Sequence, residues 1–392
     1  MPLQAPLRLI AAARPSVPAA LLVSIATSTA VFAATPFLLP AIADEFDVAV
    51  GTAGLTSTAQ LGGFVIASWI GGRFLRPVRK VFLVGTLLGV LANLGSAAAP
   101  TFEVFTALRM VSGLSLGLAA WIAWQAAFGD EDKIGDVAVV GPLVGVIAAP
   151  LVTLLLSSAG LRWLFVILAA VTALPLLFAR QVPRVDRLRP HRTRHAATRA
   201  ARAILVAMCA LTLGGSSVFI YAAAIGKDLD GLSPLTVSLL FSGNALASIP
   251  AARWTGRRGP AGLWFFMTGV CALTIALSRN GLFFGMALVG WGFVFFMGVP
   301  AAFNLLAARS HFPEERAGDA QAVMALGRVF GPLVGGALYA TGSTGTLGVT
   351  AATIMSFGAV LLLYVDRRRF VVVRQFGVWQ AGRSSVDTTQ HA

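Results

Sequence analysis

The sequence predicts an all-α integral membrane protein, with twelve transmembrane helices arranged as two pseudo-symmetric six-helix bundles. Three observations carry this. The 392-residue chain is 57% hydrophobic and 12% charged, with a mean hydropathy of +0.81, roughly half the charge of a soluble domain. Its apolar residues fall into stretches close to the ~20 residues that cross a hydrocarbon core as helix. Its second half echoes its first: Glu131-Asp132-Lys133-Ile134-Gly135-Asp136 is answered by Glu314-Glu315-Arg316-Ala317-Gly318-Asp319, and Gly-Pro-Leu-Val-Gly occurs at both 141–145 and 331–335. A chain that repeats over half its length is built as two similar units. In a membrane, that plan places a substrate site between the halves of a transporter.

On this ruler the spans are 17–40, 52–72, 81–99, 102–127, 135–157, 161–179, 203–226, 233–252, 261–278, 282–307, 319–341 and 345–365. Each is too long and continuous for a strand, and lipid offers no partner to a backbone amide, so each is helical. They group into an N-terminal bundle (1–180), a basic linker (181–202), a C-terminal bundle (203–365) and a basic tail (366–392). The first apolar run, after Arg8 and Arg14, is longer than the 7–15 apolar residues typical of a signal peptide, and is expected to stay as the first span.

Orientation follows from the positive-inside rule. Alternate loops hold Arg73, Arg76, Arg79 and Lys80, then Lys133, the arginine-rich stretch 180–202, Arg253, Arg257 and Arg258, then Arg309 and Arg316. The opposite loops carry only Arg162, Lys227 and Arg279 as basic residues. Both termini are therefore expected in the cytoplasm. The net charge of +14 sits in short loops between apolar runs, which argues for membrane topology and against nucleic acid. Cys209 and Cys271 lie inside apolar spans without metal-ligand spacing, so neither a metal nor another cofactor is expected. The four histidines fall in loops and tail with no catalytic motif, and no enzyme is expected.

Five features resemble the major facilitator superfamily. Leu39-Pro40-Ala41-Ile42-Ala43-Asp44-Glu45-Phe46 is similar to the first external loop of bacterial drug and sugar efflux members. The run from Gly71 to Lys80 resembles the loop 2–3 signature Gly-x-x-x-Asp-Arg-x-Gly-Arg-Arg/Lys, with Leu75 at the Asp position and Val78 at the second Gly position. Arg109-Met110-Val111-Ser112-Gly113 resembles the span-4 signature of proton-coupled members. Gly160-Leu161-Arg162-Trp163-Leu164-Phe165 resembles the turn before span 6. Gly327-x-x-x-Gly331-Pro332-x-x-Gly335-Gly336 matches a Gly/Pro signature usual in span 5 of antiporters, and here falls in span 11. Span 5 itself keeps a degenerate version, Gly141-Pro142-x-x-Gly145 with Pro150.

The resemblance implies that spans 1, 4, 7 and 10 line a central cavity. That selects Thr27, Phe32, Arg109, Trp124, Gln125, Tyr221, Trp291, Phe295 and Asn304 as substrate-cavity candidates. Gly113 and Gly117 follow Arg109 at four-residue steps and would let a neighbouring helix approach closely. Arg73, Arg76, Arg79, Lys80, Asp136, Asp319 and Arg328 are candidates for gating or coupling, with Arg328 either an interhelix lock or a snorkelling side chain. Leu75 removes the carboxylate lock of the loop 2–3 signature. The deep parts of the spans hold no Asp, Glu, Lys or His, whereas a proton-coupled carrier needs a group whose affinity for protons changes with conformation. The resemblance implies export of a small, largely apolar compound by a monomer in a bacterial inner membrane, with protons as the coupling ion. A sugar or amino-acid carrier and an uncoupled facilitator are the alternatives.

Overall fold

The computed structural model describes residues 17–127, 131–182, 195–252, 254 and 258–367. Most of the expected linker and tail, Arg253 and Arg257, and the side chains of Arg73 and Asp136 lie outside the described residues.

In chain order the helices are α1 (Ala19–Phe46), α2 (Val50–Phe74), α3 (Arg79–Ala97), α4 (Phe102–Ala127), α5 (Glu131–Ala173), α6 (Arg199–Phe219), α7 (Ala222–Asp230), α8 (Pro234–Ala252), α9 (Ala261–Leu277), α10 (Gly281–Ala308), α11 (Pro313–Ala340) and α12 (Thr344–Arg367). Among the described residues, nine helical stretches are long and apolar enough to cross a membrane, and α9 is a shorter apolar one. α5 is two spans run together. It breaks at Gly160, whose backbone (φ 79°, ψ 178°) no side-chain-bearing residue adopts readily, and its second part ends in a 3-10 turn, Leu174–Gln181. The seventh span is split where a single helix was expected: α6 stops at Phe219 and α7 resumes after Tyr221. Counting α5 as two spans and α6–α7 as one gives twelve.

The pairing of helices repeats between halves. α2 packs on α4 as α8 packs on α10, α3 on α4 as α9 on α10, and α1 on α5 as α6 on α11. The halves meet through α2 against α11 and α5 against α8, each pair the image of the other. Glycines set the matched crossings. A Cβ on Gly113 would stand 1.8 Å from the Gln60 carbonyl oxygen, and one on Gly292 would stand 2.0 Å from that of Asn244. Only glycine permits backbones that close, and close backbones are how helices gain contact where lipid supplies no hydrophobic drive. Gly117 meets the Phe64 carbonyl in the same way, while Gly327, Gly331 and Gly335 form a stripe against the backbone of α6. Gly141 and Gly145 on α5 are looser, 4.0 Å from Thr29 and 3.1 Å from Ala245. Pro142 and Pro150 lie within α5 and Pro332 within α11.

The basic loops also match. Arg79 donates to the carbonyls of Val182 (3.0 Å) and Arg180, tying the start of α3 to the end of the first half. Arg258 donates to the carbonyls of Ala251 (2.6 Å), Ala252 (3.2 Å) and Trp254 (3.0 Å) after α8, and to that of Phe296 (3.0 Å) on α10. Each guanidinium satisfies helix-end carbonyls that would otherwise lack donors.

A cavity between the two halves

A cavity of about 380 Å³ lies midway along the helices, where the halves face each other. The N-terminal half contributes Phe32, Thr35 and Pro36 from α1, and Ser57, Gln60 and Phe64 from α2. The C-terminal half contributes Thr212, Ser216 and Phe219 from α6, Asn244 from α8, Trp291 and Phe295 from α10, and Arg328 from α11. The wall is mainly apolar, with aromatic rings from both halves. Phe32 meets Phe64 edge-on at 5.6 Å between centroids, and Phe219 tilts against Trp291 at 5.5 Å. Such pairs hold each other's rings in fixed orientations. The volume lies in the range of pockets that enclose a drug-sized molecule.

The cavity is shut at the end away from the chain termini. There α2 and α11 touch: a Cβ on Gly51 would stand 2.5 Å from the Gly336 carbonyl oxygen, and one on Gly336 would stand 2.6 Å from that of Gly51. Tyr221, in the break between α6 and α7, is wholly buried and donates to the Pro332 carbonyl (3.0 Å) and, more weakly, to that of Gly51 (3.4 Å). It stacks on Tyr339, whose hydroxyl donates to Asp228 (2.5 Å). At the level of the cavity, Phe37 meets Phe241 and Ser242 donates to the Val146 carbonyl (2.7 Å). At the other end Trp124, Gln125 and Asn304 are exposed. Asp230, at the shut end, has its carboxyl held above the usual carboxylate range, chiefly by burial.

Of the candidates read from sequence, Phe32, Trp291 and Phe295 line the cavity. Thr27 does not: it is buried and bonds the Ser24 carbonyl of its own helix at 3.0 Å. Trp124, Gln125 and Asn304 lie off the cavity toward the open end, and Tyr221 sits outside it as part of the closure.

Arg109 requires the largest correction. It is 2% exposed and lies inside the N-terminal half, away from the cavity. Its guanidinium donates to Ser96 Oγ, Asn93 Oδ1 (3.0 Å) and the Ala92 carbonyl (3.1 Å) on α3, and stacks over Phe165 at 4.4 Å. The helix face differs from the expected one, because α4 turns this residue toward α3 and the second part of α5.

Arg79 is engaged within its own half, and Asp319 pairs with Arg316 (2.7 Å) one turn away on the same helix. Arg76 and Lys80 are exposed. Sequence reasoning missed Ser57, Phe64 and Phe219 as wall residues. Gln60 and Asn244 carried a detectable signal, as amides inside apolar spans of unselected helices.

The sequence matches the Major Facilitator Superfamily over residues 20–328. The chain belongs to that superfamily. It is a multi-pass membrane transporter of the family's two-bundle architecture. Among relatives, it is 26% identical over 352 residues to a chloramphenicol resistance protein of Streptomyces lividans, covering 83% of this chain and 89% of that one. A galactose-proton symporter of Escherichia coli is 33% identical over 89 residues, covering 22% of this chain and 19% of that one. Two solved structures share the fold. The human organic anion transporter TETRAN aligns with a TM-score of 0.64 at 15% identity, covering 88% of this chain and 97% of that one. The nucleoside transporter NupG aligns at 0.68 and 12%, covering 88% and 98%.

Proposed function

We propose that this transporter exports a small, largely apolar compound across a bacterial inner membrane by alternating access, with both termini in the cytoplasm. The observation that carries the reading is the aromatic wall of a mid-depth cavity assembled from both halves and shut at one end. Aromatic faces bind apolar bodies by burial and ring contact. The arginines clustered at the termini end support the orientation. In that orientation the cavity loads from the cytoplasm, and rocking the halves about the α2–α11 and α5–α8 contacts would release the compound outside. The likeness to a chloramphenicol resistance protein over most of both chains supports export.

A neutral sugar fits less well, although Ser57, Gln60 and Arg328 also line the cavity. Gln125 and Asn304 lie off the cavity, and the Asn244 side-chain amide already donates to the Leu288 carbonyl at 2.6 Å. A sugar needs several convergent donors and acceptors.

The test is movement of labelled chloramphenicol and neutral 2-naphthamide in proteoliposomes, against galactose and uridine. Movement of the aromatic compounds, reduced in Trp291→Ala, supports the reading; movement of galactose or uridine alone overturns it. The same vesicles assign coupling. Antiport predicts that an imposed pH gradient drives the aromatic compound uphill, whereas a facilitator leaves its final distribution unchanged.

A further inference from the structure

We infer that the compound carries a single negative charge, and that the cavity holds this oxyanion on Arg328 with Gln60 and Ser57 donating from the opposite half. This rests on the export reading and narrows its substrate class to amphipathic aromatic anions.

Arg328 lines the cavity from α11, and among the described residues it has neither a hydrogen-bond nor an ion-pair partner. Arg109 shows what this fold does with a structural arginine: three acceptors and an aromatic ring surround it. Arg328 has no such cradle. The carboxylates whose side chains are described (Asp44, Glu45, Asp47, Glu103, Asp228, Asp230, Asp319 and Asp366) all sit at helix ends or beyond, and Asp319 already pairs with Arg316. Arg328 is half-buried on the cavity wall, where its charge is less well solvated than in bulk water and an opposite charge beside it is favourable. Among the described residues none supplies one at this depth, and an anionic occupant of the cavity would.

A second observation points the same way. Gln60 and Ser57 also line the cavity, both are at least 95% buried, and Gln60 Nε2 and Ser57 Oγ have no hydrogen-bond partner. Buried donors without acceptors are rare in native structures. Here two belong to α2 residues of the cavity lining and lie just beneath its surface, opposite an α11 wall that carries Arg328, a cation with no partner among the described residues. The depths agree. α2 and α11 run antiparallel from their contact at Gly51 and Gly336, and Gln60 and Arg328 lie about 13 and 12 Å along them at 1.5 Å per residue.

Arg328, which only donates, with Gln60 and Ser57, which can donate as well as accept, describes a site whose net preference is for an acceptor group such as a carboxylate. The aromatic wall takes the rest of the molecule. One cation balances one charge, so a polyanion is unfavourable, and a cationic compound is repelled. An oxyanion held from both α2 and α11 also bridges the surfaces that must slide past each other during rocking.

The test compares binding of 2-naphthoate with that of its neutral isostere 2-naphthamide to the purified, reconstituted protein, read by quenching of tryptophan fluorescence. Expected is a preference of about 10–100-fold for the acid, the worth of one charge-assisted hydrogen-bond set. Arg328→Gln should remove that preference while 2-naphthamide binds as before. Arg328→Lys should keep part of it, and Gln60→Ala should weaken naphthoate alone. Equal binding of acid and amide by the unaltered protein overturns the inference without any variant; if 2-naphthamide is still exported, the export reading survives that failure. If neither aromatic compound binds or moves while galactose does, both fall. A preference that disappears in chloride but returns in gluconate identifies an inorganic anion as the occupant and overturns the amphipathic substrate.

Discussion

Replacing Gly51 with alanine should force the shut end of the cavity apart. The added Cβ would stand 2.5 Å from the Gly336 carbonyl oxygen and 3.0 Å from Ala340 Cβ. The first obstacle is backbone and cannot rotate away, so α2 and α11 must separate by a few tenths of an ångström or more. Overpacking of this kind costs about 1–3 kcal/mol. Because the clash exists only when the halves touch here, the cost falls on the closed arrangement. The ratio of open to closed should therefore shift by about 5–150-fold. Spin labels on Ala49→Cys and Thr341→Cys, in a background with Cys209 and Cys271 changed to serine, report the separation by pulsed electron resonance. Both positions are exposed, one on each half. The expected result is a longer-distance population that grows with the alanine. Gly63→Ala is the control: its Cβ would stand 2.1 Å from the Met110 carbonyl, within the N-terminal half. It should lower the melting temperature and leave the distances alone. An unchanged distribution in Gly51→Ala, or equal opening in Gly63→Ala, would refute the reasoning.

Arg109→Ala should lower thermal stability sharply, because Asn93, Ser96 and the Ala92 carbonyl each lose a donor, at roughly 1–3 kcal/mol per buried group left unpaired; protein that still folds should bind substrate with unaltered affinity, and a selective loss of affinity would show that the residue reaches the cavity. Tyr221→Phe should open the shut end more gently than Gly51→Ala, by about 0.5–1.5 kcal/mol for its stronger hydrogen bond, read by the same spin labels; no shift would remove it from the closure. Asp230 should act in the opposite sense to a paired carboxylate. Its folded proton affinity is raised by burial, so the stability it contributes is full at acid pH and is lost as pH rises past the ordinary carboxylate range. Asp230→Asn should therefore raise the melting temperature near pH 7 and change little at acid pH, and a fall near pH 7 would contradict this. Glu45→Gln breaks an exposed pair with Arg162 at 2.8 Å and should cost less than about 1 kcal/mol, a shift of a degree or two in melting temperature at most.

The spans were legible because lipid leaves the backbone no choice: a long apolar run must be helix, and loop charges then follow. The breaks were harder to see. Gly160 gave a local signal, but nothing in Phe219-Ile220-Tyr221 announces that α6 stops there; the interruption lets Tyr221 reach the backbone of α2 and α11. Position along a helix can be counted from the sequence, at about 1.5 Å per residue. The azimuth of Arg109 could not, because α4 contacts neighbours on several sides and an arginine is chemically acceptable either in a cavity or in a cradle of neutral acceptors. Choosing candidates by helix number left out α2 and α11, which contact each other across the halves. The residues that best define the cavity's chemistry, Gln60 and Arg328, were visible as polar groups in apolar spans. What the sequence lacked was the information that their donors have no partners.

If Arg328 carries an uncompensated positive charge within the membrane, as inferred above, it would also sense voltage. Moving one elementary charge through the whole field is worth about 2.3 kcal/mol per 100 mV, and any part of that path that Arg328 covers as the halves rock is weighted accordingly. With the proposed monoanion bound, the cavity would be neutral and the field would have little hold on the loaded protein. The empty protein is the form that feels it. In a cell with a negative interior and the termini in the cytoplasm, the field draws the unloaded cavity back toward the side from which it refills. The resting potential would then speed the return stroke, the half of the cycle that carries no cargo.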